Sequence, residues 1–119
     1  MPKWSVGRVT LLGDACHAML PFMAQGAAQA IEDGATLAAC LAKCTRKDVA
    51  EVLKLYEALR LPRTARVQAL AANNKTRFHL PDGPEQAARD AEMATKMTDF
   101  SLQNITWLYG HDAAGVVDV

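Results

Sequence analysis

The sequence predicts a mainly α-helical fold with one short strand. Three observations lead there. Only one run, Arg8-Val9-Thr10-Leu11-Leu12, reads as a strand, because it is short, apolar and β-branched at its start, and Gly13 stops it. Most of the remaining chain places apolar residues at helical spacing, interrupted at Pro62, at Leu80-Pro81-Asp82-Gly83-Pro84 and at Gly110. The chain has 119 residues, half of them hydrophobic, which suits one packed domain or a piece of a larger one and argues against disorder.

The elements follow in order. The strand lacks polar alternation, so it is expected to be buried on both faces, as in a parallel sheet. One strand cannot satisfy its own backbone groups, so it either pairs with another chain or belongs to a larger α/β sheet. Ala15 to Ala24, containing Pro21, is expected to be a loop. A helix is expected from Gln25 to Lys43, its early part nearly all Ala, Gly and Gln. Such small side chains let another backbone or a flat ligand come close. Asp48, with Glu51 three residues later, reads as the N-cap of a second helix. Val49, Val52, Leu53, Tyr56 and Leu59 form its buried face. Pro62 is expected to kink or restart it. A third run, Arg63 to Thr76, sets Val67, Leu70 and Ala71 on one face. Glu85 to Met97 reads as helical, and Asp99 is placed to cap a last helix that ends at Tyr109. The tail from His111 to Val119 carries weak signals.

The formal net charge is zero, but the charge is unevenly placed. Residues 43 to 79 hold nine Lys or Arg against three acids, and residues 80 to 119 hold seven acids against two bases. Aromatic residues do not interleave with the basic ones, so the pattern reads as a basic helix pair facing an acidic segment, with no nucleic-acid partner. Cys16, Cys40 and Cys44 make an odd count without a secretory signal, which points to a reducing, cytoplasmic setting. Cys40 and Cys44 would share a helical face. Two thiols with no His at helical spacing make a poor zinc site, so core cysteines and no metal centre are expected. Ala15 to Ile31 carries no formal charge, but Pro21, Gln25, Gly26 and Gln29 make it a poor membrane span.

The most informative stretch is Gly13-Asp14-Ala15-Cys16-His17, followed by Pro21, Gln25-Gly26-Ala27 and Glu32-Asp33. It places a carboxylate at a strand end and a helix start shortly after. The Asp14 carboxylate can accept hydrogen bonds from ribose hydroxyls. The first N–H groups of the helix near Gln25 and Gly26 lack intrahelical acceptors and can face a ligand. A Gly-Asp after an apolar run is also an ordinary strand end. His17 reads as a loop residue bonding to backbone, with a catalytic base as the alternative. His79 and His111 read as turn or surface residues. Tyr56, Trp107 and Tyr109 read as core aromatics with polar tips. Arg60, Arg63 and Arg66 recur every three residues and are expected to pair with acids across a helix interface.

Taken together, Trp4 to His17, Pro21, Ala24-Gln25-Gly26-Ala27 and Glu32-Asp33 resemble the second flavin motif of the FAD-dependent aromatic hydroxylases. These are single-component flavoprotein monooxygenases, of which the salicylate hydroxylase and 6-hydroxynicotinate or 3-hydroxybenzoate hydroxylase group looks closest. Tyr56-Glu57 with Arg60-Leu61-Pro62-Arg63, Phe78 to Pro84, and Trp107 to Ala113 extend the resemblance over almost the whole chain. It implies a parent enzyme with an α/β, Rossmann-like FAD-binding fold, of which this chain is the C-terminal quarter to third. Residues 1–46 would be the end of the FAD-binding domain, and 47–119 a C-terminal helical region. The cofactor would be FAD with NAD(P)H as reductant, and the substrate an aromatic acid hydroxylated through a flavin C4a-hydroperoxide.

The resemblance also implies cofactor-binding roles for Gly13, Asp14, Pro21, Gln25, Gly26 and Ala27. Asp14 would meet the ribitol or ribose hydroxyls. Pro21 would shape the space beside the ring. The backbone of Gln25 to Ala27 would face the pyrimidine edge, which is anionic in reduced flavin. Glu32 and Asp33 would tie the helix to a neighbour. No catalytic residue is implied within the chain. Two departures stand out: Ala24 replaces a common Gly, and Ala18 a common Pro. The Gly-x-Gly-x-x-Gly fingerprint for the ADP half of FAD is absent. The isolated chain is therefore expected to be colourless, inactive and homo-oligomeric. A non-enzymatic helical interaction or dimerisation module is the alternative.

Overall fold

A computed structural model describes residues 1–42, 44–95 and 102–118. Its elements are strands β1 (Ser5–Val6) and β2 (Val9–Thr10), a single turn α1 (Asp14–His17), a 3-10 turn at Pro21–Met23, and helices α2 (Gly26–Ala42), α3 (Val49–Phe78), α4 (Pro84–Thr95) and α5 (Leu102–Tyr109). A second 3-10 turn, Gly115–Asp118, follows. The mainly helical expectation is met. Residues expected between Met97 and Leu102, including the Asp99 cap, lie outside the described ones.

The strand differs from its expectation. β1 and β2 form an antiparallel hairpin with Ser5 opposite Thr10 and Val6 opposite Val9. Gly7, at φ 58°, supplies the positive dihedral that a two-residue hairpin turn needs. Val9 is 68% exposed and Leu12 41%, so the run is not buried on both faces. The partner strand lies three residues upstream, and the pairing is made within the chain, extended by the Leu11 N–H donating to the Trp4 carbonyl at 3.1 Å. The expected loop after Gly13 is likewise partly regular, holding α1 and the first 3-10 turn.

The two helices expected on either side of Pro62 are one continuous helix of 30 residues. A proline here removes the N–H that would bond to the Ala58 carbonyl, and its ring crowds that carbonyl. The helix continues because tertiary bonds hold both sides of the break. Arg60 and Arg63 are anchored to α2, and Thr64 Oγ1 donates within 3.1–3.2 Å of the Arg60 and Leu61 carbonyls. At ~1.5 Å rise per residue such a helix runs about 45 Å, which explains extents of 59 × 25 × 17 Å. Asp48 occupies the N-cap position, but its carboxylate turns back to Thr45 and caps no helix N–H. Glu51 pairs with Lys54 instead.

Trp4, Cys16, Cys40 and Tyr56 form the apolar centre, with Leu11, Leu37, Val52, Leu59, Leu61 and Val117 against it. Tyr56 donates its hydroxyl to the Leu11 carbonyl at 3.3 Å. Leu53, Val67 and Ala71 are buried as expected, whereas Leu70 is exposed. Cys44 lies beyond the end of α2, so it does not share a helical face with Cys40. The largest fully buried side chains also include Arg60, His17, Gln29, Thr36, Thr64 and Asp33, so hydrogen bonds and ion pairs carry much of the interior. No described helix is long and apolar enough to cross a membrane.

Pro62 is exposed, and Pro62→Ala restores a helical N–H without disturbing the core. It is expected to stabilise the chain by about 1–3 kcal/mol. An upward shift of the urea midpoint at constant slope checks this.

Candidate functional site

The site begins with Gly13, which ends the hairpin arm at φ 62°, ψ −140°, a region that L side chains avoid. A Cβ there would lie 3.3 Å from the Ala30 Cβ, so the turn rests directly on α2. The Gly13 carbonyl accepts from the Cys16 and His17 N–H groups and from Cys16 Sγ at 3.3 Å. Its own N–H donates to Asp33 Oδ2 at 2.9 Å. Both backbone polar groups of Gly13 are thus engaged. His17 Nδ1 is buried without a hydrogen-bond partner among the described residues. Asp14 is exposed, and its carboxylate has no intramolecular partner among them.

The loop that follows is fixed from outside. Leu20 is extended, Pro21 opens a 3-10 turn, and the Ala24 N–H closes it on the Pro21 carbonyl. Gln68 donates to the Ala18 carbonyl at 2.8 Å, and Asn74 to the Phe22 carbonyl at 3.1 Å. Phe22 packs edge-on against His79. Sequence reasoning missed both amides, since nothing in their spacing along a basic helix marks them. The Gln68 bond supplies restraint where Ala18 stands in place of a proline. Ala24 sits at φ 51°, the left-handed conformation that explains why glycine is common there.

α2 then starts. Among the described residues no acceptor meets the N–H groups of Gln25, Gly26, Ala27 or Ala28. A side chain at Gly26 would encounter nothing within 4 Å, and Ala27 is exposed, so open space lies above this helix end. The end carries roughly half a positive charge from the helix dipole. The Gln25 side chain points inward, within 3.5 Å of Gln29 and of the Tyr109 hydroxyl. Tyr109 is 70% exposed, which corrects its expected place in the core.

Glu32 and Asp33 bind α3, as their position implied. Asp33 is fully buried and accepts from Arg60 Nε at 2.7 Å and His17 Nε2 at 2.5 Å. His17 is thus buried against a carboxylate, contrary to the expected backbone bond. Asp33 can only accept, so Nε2 carries the proton. Arg60 also donates to Glu32, and to the carbonyl and side chain of Gln29. Arg63 grips Glu32 with two nitrogens at 2.6 and 2.7 Å. It also caps α5 at the Trp107 and Leu108 carbonyls. Arg66 makes no such pair among the described residues and stacks 3.8 Å from the Trp107 ring centroid. Thr36 donates to the Ala113 carbonyl at 2.7 Å, tying the tail to α2.

Burial alone would raise the Glu32 carboxyl. Hydrogen bonds from Arg63 and then Arg60, together with their charges, outweigh it and hold Glu32 below the usual carboxylate range. His111 is held low by burial and by Arg63. Burial, reinforced by Asp33, pushes the Cys16 thiol up to about 11. Cys16, His17 and Asp33 bring three ligand atoms within 4.8 Å of one another. They do not fit a metal: the thiol resists ionisation, and both Asp33 oxygens are engaged, one by a guanidinium. An open cleft of about 380 Å³ lies between the hairpin and α3, lined by Lys3, Val6, Lys54, Leu61 and Pro62, and another of about 490 Å³ lies between α3 and α4, lined by Asn73, Arg77, Glu85 and Arg89. Asp14 and the α2 N-terminus are not part of either.

Two outcomes test this geometry. Gly13→Ala is expected to cost about 1–3 kcal/mol from backbone strain, read by chemical denaturation. The Glu32 carboxyl titrates lower in the folded chain than the unfolded value of 4.5. Its stabilisation is therefore full above that pH and is lost as pH falls through the folded value. In a pH series of unfolding midpoints, Glu32→Gln should be less stable near neutrality and show a shallower loss below pH 4.5.

Comparison with known proteins places this geometry. The chain is 46% identical over 113 residues to a 3-amino-4-hydroxybenzoate 2-monooxygenase of Streptomyces platensis, covering 95% of this chain and 28% of that protein. It is 40% identical to a 3-hydroxybenzoate 6-hydroxylase of Klebsiella oxytoca, over 91% of this chain and 27% of that one. A 6-hydroxynicotinate 3-monooxygenase of Pseudomonas fluorescens is 53% identical over 74 residues, 62% of this chain and 19% of its own length. The chain thus spans between 19% and 28% of the length of these relatives. The family described as FAD binding domain matches residues 1–71, the span that holds the hairpin, the Gly13 turn, the Pro21 loop, α2 and the buried arginines of α3. With that match over more than half its length, the chain belongs to the FAD binding domain family.

Proposed function

We propose that this chain forms the flavin-ring side of an FAD-dependent monooxygenase that hydroxylates an aromatic acid with NAD(P)H as reductant. The observation that carries this reading is the Asp14 carboxylate, exposed and without a partner among the described residues, on a turn held to α2 through Gly13 and His17. In this reading residues 1–46 complete the FAD-binding domain and 47–119 brace it. Asp14 accepts from ribose or ribitol hydroxyls. The free N–H groups from Gln25 to Ala27 face the electron-rich edge of the ring and stabilise charge there. Gly13 lets the strand end approach the cofactor, and Pro21 sets the wall beside it. When bound and reduced, FAD supplies the oxygen activation. The chain's own residues bind, orient and exclude water. The names of the relatives, which act on hydroxybenzoates and a hydroxynicotinate, support an aromatic acid as substrate.

A second reading, a helical module that pairs with another copy, draws on the exposed Ile31 and Leu41 of α2 and Val6 and Val9 of the hairpin. Light scattering on the isolated chain separates them. A colourless dimer supports this second reading for the chain alone.

In the complete enzyme, Asp14→Ala removes a charge-assisted hydrogen bond worth about 1.5–3 kcal/mol, so FAD affinity should fall by about 10–150-fold. Flavin fluorescence titration measures it. A complete protein that purifies without flavin, and oxidises no NAD(P)H with any aromatic acid, would falsify the reading.

A further inference from the structure

We infer that Asp33 is a positioning residue for the flavin mouth, acting through Gly13 and His17 without touching the cofactor. The inference rests on the FAD reading above. α1 is a single turn, and Asp14 is its first residue. Asp33 Oδ2 holds that turn at both ends, by the Gly13 N–H immediately before Asp14 and by the His17 ring at the last position. Oδ1 is held by Arg60 of α3. All three side chains are essentially without solvent contact. The turn cannot tilt on α2 without breaking a bond to a buried carboxylate.

The second half of the mouth is on the same helix. The free N–H groups start α2, and Asp33 lies seven residues after Gly26, about two turns and 10 Å along the axis. One carboxylate therefore fixes the Asp14 turn to the helix that presents those N–H groups. It sets the spacing between the two cofactor contacts. Groups that orient ligands from behind in this way, as in metal sites, typically change affinity by about 10–100-fold when removed. A shift of about 1 Å in a positioned group is costly on its own account.

The test uses the complete FAD enzyme with Asp33→Asn, His17→Asn and Asp14→Ala. Three quantities are read at a temperature where each apoprotein is folded: FAD Kd by flavin fluorescence, the flavin midpoint potential, and apoprotein Tm. Asp33→Asn and His17→Asn should each raise FAD Kd about tenfold or more and shift the midpoint potential. Either variant, folded, with unchanged Kd and potential would reduce Asp33 to a packing role and overturn the inference, even with a lower Tm. If Asp33→Asn does not fold, His17→Asn decides alone by the same criterion. Asp14→Ala separates the two levels. Unchanged FAD affinity in that variant would sink the FAD reading itself. Weakened affinity there, with His17→Asn unaltered, would sink the positioning role only.

Discussion

The buried pair of Asp33 and Arg60 is the interaction on which the rest of this chain depends. It joins α2 to α3, and through its second oxygen it holds the Gly13 turn. Neither charge reaches solvent, so each compensates the cost of desolvating the other. Glu32 repeats the arrangement one residue earlier, shared between Arg60 and Arg63. From Arg63 the link continues to the carbonyls that end α5. The hairpin, the Gly13 turn and the C-terminal segment are therefore referred to one another through four charged side chains.

Such an interior differs from an oily core. Replacing a whole buried ion pair by well-packed apolar residues is often neutral or stabilising, whereas removing one partner costs roughly 3–5 kcal/mol. The network thus adds little net stability over an apolar alternative and imposes a strict geometry. That matches what a cofactor site asks of its scaffold, because contacts must be held to within a fraction of an ångström. The apolar cluster around Trp4, Cys16, Cys40 and Tyr56 supplies the non-directional part of the stability behind this frame.

Much of this was legible in the residues. α2 was predicted to within one residue of its observed start and end, because its Ala-rich run and the Pro21 punctuation are strong local signals. The pairing of Arg60 and Arg63 with acids followed from their spacing. The single helix through Pro62 was not legible, since proline is a local breaker and the bonds that override it come from residues about 30 positions away. The hairpin was missed because a strong apolar run drew attention from the weaker Ser5-Val6 before Gly7. The burial of His17 and the exposure of Tyr109 depend on which side of α2 other segments occupy, and periodicity does not encode that. Of the candidate site, the residue types were readable, but the amides of Gln68 and Asn74 that hold its loop were not.

Those two amides have a consequence for how such a protein can change over time. They grasp main-chain oxygens of Ala18 and Phe22, so the course of the loop does not depend on the identity of the residues within it. Met19 and Leu20 can be exchanged without redrawing the path of the backbone. The course of the loop can then be inherited intact while the surface beside it diversifies, which decouples the descent of the backbone path from that of its side chains.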